Sequence, residues 1–119
     1  MGDLKLGIIE TRFAEIVWRY QPITTKELVD LCAEELNWKR TTTYTVLKKL
    51  CNLGIFALND RTVTALMSRT EYFAIQSKQF VDENFKGSLP SFLVAFGSCK
   101  QLSDEEINEL LKVIDGMRR

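Results

Sequence analysis

The chain has 119 residues, with 16 Lys and Arg against 16 Asp and Glu, a formal net charge of zero and no histidine. That length fits one domain, or a small domain with an assembly arm, and it needs neither metal nor disulfide to hold together. Neutrality argues against indiscriminate binding to polyanions, and the missing histidine removes the commonest general base and metal ligand, so no catalysis, metal or other cofactor is expected. Cys32, Cys51 and Cys99 are an odd, widely spaced set without a CxxC pair, which speaks against a disulfide framework or a zinc site. Cys32 and Cys51 stand at apolar-periodic positions and read as small core residues. No apolar run approaches the ~20 residues of a membrane span, and the start lacks a basic-then-apolar leader, so a cytoplasmic location is expected.

From Leu4 to Tyr20 the spacing of Ile9, Phe13, Ile16 and Val17 predicts a helix, with Trp18 as a large anchor near its end. Gln21-Pro22 stops it, because the residue before proline avoids the helical region. Thr24 with Glu27 is a capping box opening a second helix, whose apolar stripe is Leu28, Leu31, Cys32 and Leu36. Asn37 and Trp38 make the turn into a third helix that begins between Lys39 and Thr42. Its Thr43, Val46, Leu47 and Leu50 should face inward, which leaves Thr42, Tyr44, Thr45, Lys48, Lys49 and Asn52 outward. Gly54 reads as a left-handed helix stop. A hairpin follows: Ile55 to Leu58, a turn at Asn59-Asp60, then Arg61 to Met67 with Val63, Ala65 and Met67 alternating.

Two helices joined by a short turn, with a hairpin after them, outline a helix-turn-helix with a wing, the form of a DNA-reading module. Lys39, Arg40, Lys48, Lys49 and Arg61 face only Asp60 within that stretch, whereas acids gather at Glu34-Glu35 and Asp104 to Glu106. On the third helix the lysines suit phosphates, and the hydroxyls and methyls of Thr41, Thr42 and Thr45 suit phosphates or base edges. Thr41 reads alternatively as a simple cap. Arg61, near the wing tip, is placed to touch the DNA backbone or minor groove, the bland alternative being a solvated turn residue.

From Thr70 the pattern is helical again, with Tyr72, Phe73, Ile75, Phe80, Val81 and Phe85 on a broad apolar face up to Lys86-Gly87. Ser88 to Phe96 forms a second, very apolar helix with Pro90 in its first turn. Ser103 with Glu106 is another capping box, opening a last helix that carries Ile107, Leu110, Leu111 and Ile114 and ends by Gly116. A small winged head cannot cover so much apolar surface, so a symmetric dimer is expected. The surface assigned to it comprises Phe73, Phe80, Phe85, Phe92, Leu93, Phe96, Ile107, Leu110, Leu111 and Ile114. The fold class is thus mainly α with a small β-hairpin wing: a winged helix-turn-helix DNA-binding domain at 1–69 and a helical dimerisation domain at 70–119. The competing reading is a ligand-sensing or protein-interaction module that uses the apolar arm for another partner.

Taken together, Trp18, the run Ile23-Thr24-Thr25-x-Glu27-Leu28, Trp38 before T-x-x-T-V-L-x-K-L (Thr42 to Leu50), Gly54 and the tail Gln101 to Leu110 resemble the BlaI/MecI/CopY penicillinase-repressor family. The resemblance runs from about Leu6 to Arg118. It implies a homodimeric winged-helix repressor on double-stranded, palindromic operator DNA, controlling a resistance or stress operon. In the beta-lactam branch it further implies a membrane sensor-protease as partner and cleavage of the repressor within its arm. The cleaved bond falls on Ala95-Phe96, with Ala95 where the family has Asn. The family's recognition-helix contacts fall on Thr41, Thr42, Thr45 and Lys49. Lys39-Arg40 replaces the common Ser-Pro, and the wing is shorter and lacks the usual Gly-Arg pair. The Cys-x-Cys pair of the copper-responsive branch is absent, so the resemblance does not extend to copper sensing.

Overall fold

The computed structural model describes residues 4–119, and the order of elements along them follows the hydrophobic periodicity closely. α1 (Ile8–Tyr20), α2 (Thr25–Leu36) and α3 (Arg40–Asn52) precede a hairpin of β2 (Phe56–Asn59) and β3 (Thr62–Ala65). α4 (Arg69–Phe85), α5 (Leu89–Cys99) and α6 (Asp104–Gly116) complete the chain. A short strand that periodicity does not reveal, β1 (Ile23–Thr24), pairs antiparallel with β3 and makes a three-stranded sheet in the order β1-β3-β2. Two residues are too few for alternation to show, and only pairing with Thr62 and Val63 makes them a strand. Residues up to Ser77 form one compact unit and Lys78–Arg119 a second.

The first unit is built on aromatic and aliphatic packing. Phe13, Leu28, Leu47, Leu50, Ile55, Phe56 and Val63 are fully buried, drawn from all three helices and from the hairpin. Phe13 stacks on Trp38 with ring centroids 5.7 Å apart and meets Phe56 edge-on at 6.4 Å. Trp18 packs edge-on against Phe56 and donates its indole N–H to the Met67 carbonyl at 2.9 Å. Tyr72, in the first turns of α4, is 2% exposed in the same core, and its hydroxyl accepts from the Leu6 N–H. Cys32 is buried there and Cys51 half-buried, in line with their reading as small core residues; burial pushes the Cys32 thiol up to about 11.

Several local expectations are corrected. α1 begins at Ile8, not Leu4, and Ile9 is half exposed. Ile9 falls in the first turn, ahead of the stretch that the core covers, and Leu6 supplies the buried anchor instead. The wing turn is Asp60-Arg61, both at positive φ (49° and 61°), while Asn59 still pairs with Thr62. Positive φ at both central residues is the tight hairpin turn whose twist matches the flanking strands. β3 ends at Ala65, and beyond it the N–H groups of Leu66 and Met67 both donate to the Ile55 carbonyl. α4 starts at Arg69 because Ser68 and Glu71 form a further capping box, each backbone N–H bonded to the other's side chain. α5 runs to Cys99, three residues past its expected end, with Ser88 as its N-cap.

The expected capping boxes of α2 and α6 are both formed. Thr24 accepts from the Glu27 N–H at 3.1 Å while Glu27 accepts from the Thr24 N–H, and Ser103 and Glu106 repeat the arrangement. Gly54 takes φ 81° where α3 stops, as its position suggests. Because Phe13 touches both Trp38 and Phe56, Phe13→Ala should destabilise the first unit by about 3–5 kcal/mol in chemical denaturation, with loss of the near-ultraviolet signal of Trp38.

Candidate nucleic-acid interface

Three features position α3. Asn37 closes α2 in the left-handed region (φ 58°), Trp38 stacks on Phe13, and Lys39 enters α3 from an extended backbone. Thr43, Leu47 and Leu50 then bury themselves at one side of the helix, at 1%, 2% and 0% exposure. That commits the opposite side to solvent: Thr41, Thr42, Thr45, Lys48 and Lys49 are all exposed, as are Lys39 and Arg40 at the helix start. Lys39 offers no side-chain acceptor to the first turn of α3, so the free N–H groups there remain open to an anion from outside.

The threonines are not equivalent. The Thr43 hydroxyl donates back to the Lys39 carbonyl, and the Thr45 hydroxyl donates to the Thr41 carbonyl at 2.9 Å. Such back-bonding occupies the donor of Thr45 and leaves its methyl as the group to present outward. The lysines differ as well. Lys49 reaches across to α1 and forms an ion pair with Glu10, whose carboxyl is held below the usual range by Lys49 and by the Gly7 N–H. Lys48, its neighbour, makes no such pair among the described residues.

The wing lies close to the start of α3. The Arg61 carbonyl accepts from the Thr25 N–H at 3.0 Å, which ties the hairpin turn to the first turn of α2. Arg61 and Arg40 line one cleft with Tyr44, and the Arg40 guanidinium lies over the Tyr44 ring, 5.6 Å from its centroid. The structure therefore gathers Lys39, Arg40, Thr41, Thr42, Thr45, Lys48 and Lys49 on one helix and brings Arg61 to its end. The sequence places Tyr44 on the outward face without marking a role for it and does not single out Lys26, which lines the same cleft from α2. Its only mark in the sequence is a lysine in the first turn of a helix, which is unremarkable until the wing folds over it.

Of the residues assigned to dimerisation, Phe73 belongs to the first unit, where it packs on Trp18 and Tyr72. In the second unit Phe92 meets Phe80 and Phe85 edge-on, Phe80 and Phe85 are tilted against each other, and Phe96 joins the cluster through Phe92. Leu93 and Leu110 help line a groove of about 370 Å³ between α5 and α6. Ile107, Leu111 and Ile114 remain 40%, 58% and 40% exposed along α6. Ala95 and Phe96 lie within α5, so the bond between them is helical. Among the described residues no group of His, Cys, Asp or Glu could hold a metal ion, and no helix is long and apolar enough to cross a membrane.

A buried-backed helix with an exposed face of threonine and lysine, entered through a tight turn and flanked by a β-hairpin, defines a winged helix-turn-helix protein of the DNA-binding class. The family model for penicillinase repressors matches residues 6–116, and the chain belongs to that family of transcriptional repressors. It is 28% identical over 112 residues to the penicillinase repressor of Bacillus licheniformis, covering 89% of this chain and 86% of that one. It is 24% identical over 115 residues to the methicillin resistance regulatory protein MecI of Staphylococcus aureus, covering 93% and 94% respectively.

The Glu10–Lys49 pair has a pH signature. A carboxyl held low in the folded state adds stability above its unfolded pKa and loses it as pH falls through the folded value. Lys49→Ala should raise the Glu10 pKa toward the ordinary carboxylate range, read from carboxyl NMR titration, and should make stability less sensitive to acid below about pH 4.5.

Proposed function

We propose that the chain acts in the cytoplasm as a homodimeric repressor, reading a palindromic operator with one α3 helix in each half-site. The observation that carries this reading is the exposed α3 face, whose threonines and lysines are held outward by the burial of Thr43, Leu47 and Leu50. Phosphate contacts by Lys39, Arg40, Lys48, Lys49 and Arg61 supply salt-dependent affinity, and Thr41, Thr42 and Thr45 supply selectivity at base edges. Lys49 exchanges its Glu10 partner for a phosphate on binding. The names of the relatives point to control of a resistance operon of the beta-lactam type.

The arm at 70–119 serves dimerisation. Its support is the apolar surface along α5 and α6, where Val94, Phe96, Leu111 and Val113 stand open to water in a single copy. Release follows the route that the family resemblance implies: a membrane sensor-protease severs the arm at Ala95-Phe96. Both residues lie inside α5, so that helix must open before a protease can accept the bond in extended form.

Sedimentation equilibrium tests the assembly; the expected species has twice the chain mass, and a lone monomer at micromolar concentration would overturn the dimer. Selection from random duplex DNA should then recover two inverted half-sites separated by ~34 Å or a multiple of it. Because Thr45 presents its methyl outward, Thr45→Ser should relax preference at one operator position by about 0.8 kcal/mol, while Thr45→Val should retain it. Equal selectivity of both variants would remove Thr45 from the base-reading set.

A further inference from the structure

The cleft beneath the wing has a composition that a solvated surface does not need. It measures about 650 Å³ and is lined by Thr25, Lys26 and Asp30 of α2 (with β1 leading in), Arg40 and Tyr44 of α3, and Arg61 of the hairpin turn. Three cations from three separate elements thus face a single carboxylate, and among the described residues none of the three is taken up in an ion pair. Main chain ties the wing turn that carries Arg61 to the start of α2 that carries Lys26: β1 pairs with β3, and the Thr25 N–H binds the Arg61 carbonyl.

Tyr44 stands among these cations, with the Arg40 guanidinium 5.6 Å from its ring centroid. The Thr25 hydroxyl, then the charge and hydrogen bond of the Arg40 guanidinium and the charge of Arg61, hold its phenol below the ordinary tyrosine range. The phenol carries one O–H that it can donate into the cleft it lines. Three cations against one carboxylate leave the cleft with an excess of positive charge, and a ligand rich in acceptors matches it, a phosphate being the common one.

We propose that Tyr44, Lys26, Arg40 and Arg61 form a single phosphate clamp that seats one backbone phosphodiester of duplex DNA beside the start of α3. This rests on the reading of α3 as the DNA-contacting helix and adds Tyr44 and Lys26 to its contacts. It also changes the role of the wing. Arg61 acts together with Arg40 on the same phosphate, and a hairpin this short serves because the cleft lies directly under it.

The clamp predicts a particular non-additivity. Lys26→Gln and Arg61→Gln should each weaken binding to a duplex recovered by selection, and the double variant, which keeps Arg40 on the phosphate, should lower the salt slope by at most about 0.9, the release due to one phosphate, not by twice that. Tyr44→Phe should cost about tenfold in affinity with the slope nearly unchanged, since it removes a hydrogen bond to a charged group and no cation. Additive slopes would overturn a shared phosphate, and a Tyr44→Phe protein binding as tightly as the parent would overturn the donor role. Titration of the free protein with inorganic phosphate, followed at the Tyr44 ring by NMR, separates the two sources of the anion. Ring shifts with inorganic phosphate but unaltered duplex binding in all the variants would mean a free-anion site and overturn the DNA clamp. Failure of the parent chain to bind any duplex would instead sink the repressor reading itself.

Discussion

Everything on the exposed face of α3 depends on how that helix is seated, and the seat is aromatic. Phe13 lies between Trp38 and Phe56, so one ring from α1 grips both the turn before α3 and the strand after it. With Leu47 and Leu50 buried below, the helix can neither roll nor slide without opening a cavity in close-packed core. The β-branched run Thr41-Thr42-Thr43 is tolerated at the helix start because Thr43 turns inward and returns its hydroxyl to the Lys39 carbonyl.

Charge follows the same logic of division. The chain is neutral overall, yet basic residues collect along α3 and the wing turn, where few acids intrude. Glu10 is one of those few, held against Lys49 from α1. An exposed pair of this kind adds little to stability. The second unit is organised differently: aromatic rings pack on one another, and much aliphatic surface stays open along α6.

The helices, the capping boxes of α2 and α6 and the inward faces of α2 and α3 were legible from the chain, because periodicity and capping boxes are local rules that the backbone obeys within a few residues. The alternation around Val63 and the stop at Gly54 were legible for the same reason. The start of α1 was not, since Ile9 has the right spacing but lies beyond the core's reach, and spacing carries no information about where a partner surface ends. The wing turn fell one residue later than its composition suggests, as Asn59 was recruited into pairing with Thr62.

By itself the sequence determined which elements form, which side of α3 is apolar, and which family the motifs resemble, all consequences of contacts close along the chain. Tertiary structure alone decided that Ile23 and Thr24 become a strand, that Lys49 finds Glu10 thirty-nine residues away, and that Lys26 meets Tyr44 and Arg61 in one cleft. Those outcomes depend on chain closure over long separations, where the partner is set by the packing of Phe13, Trp38 and Phe56 and by no pattern in the neighbouring residues.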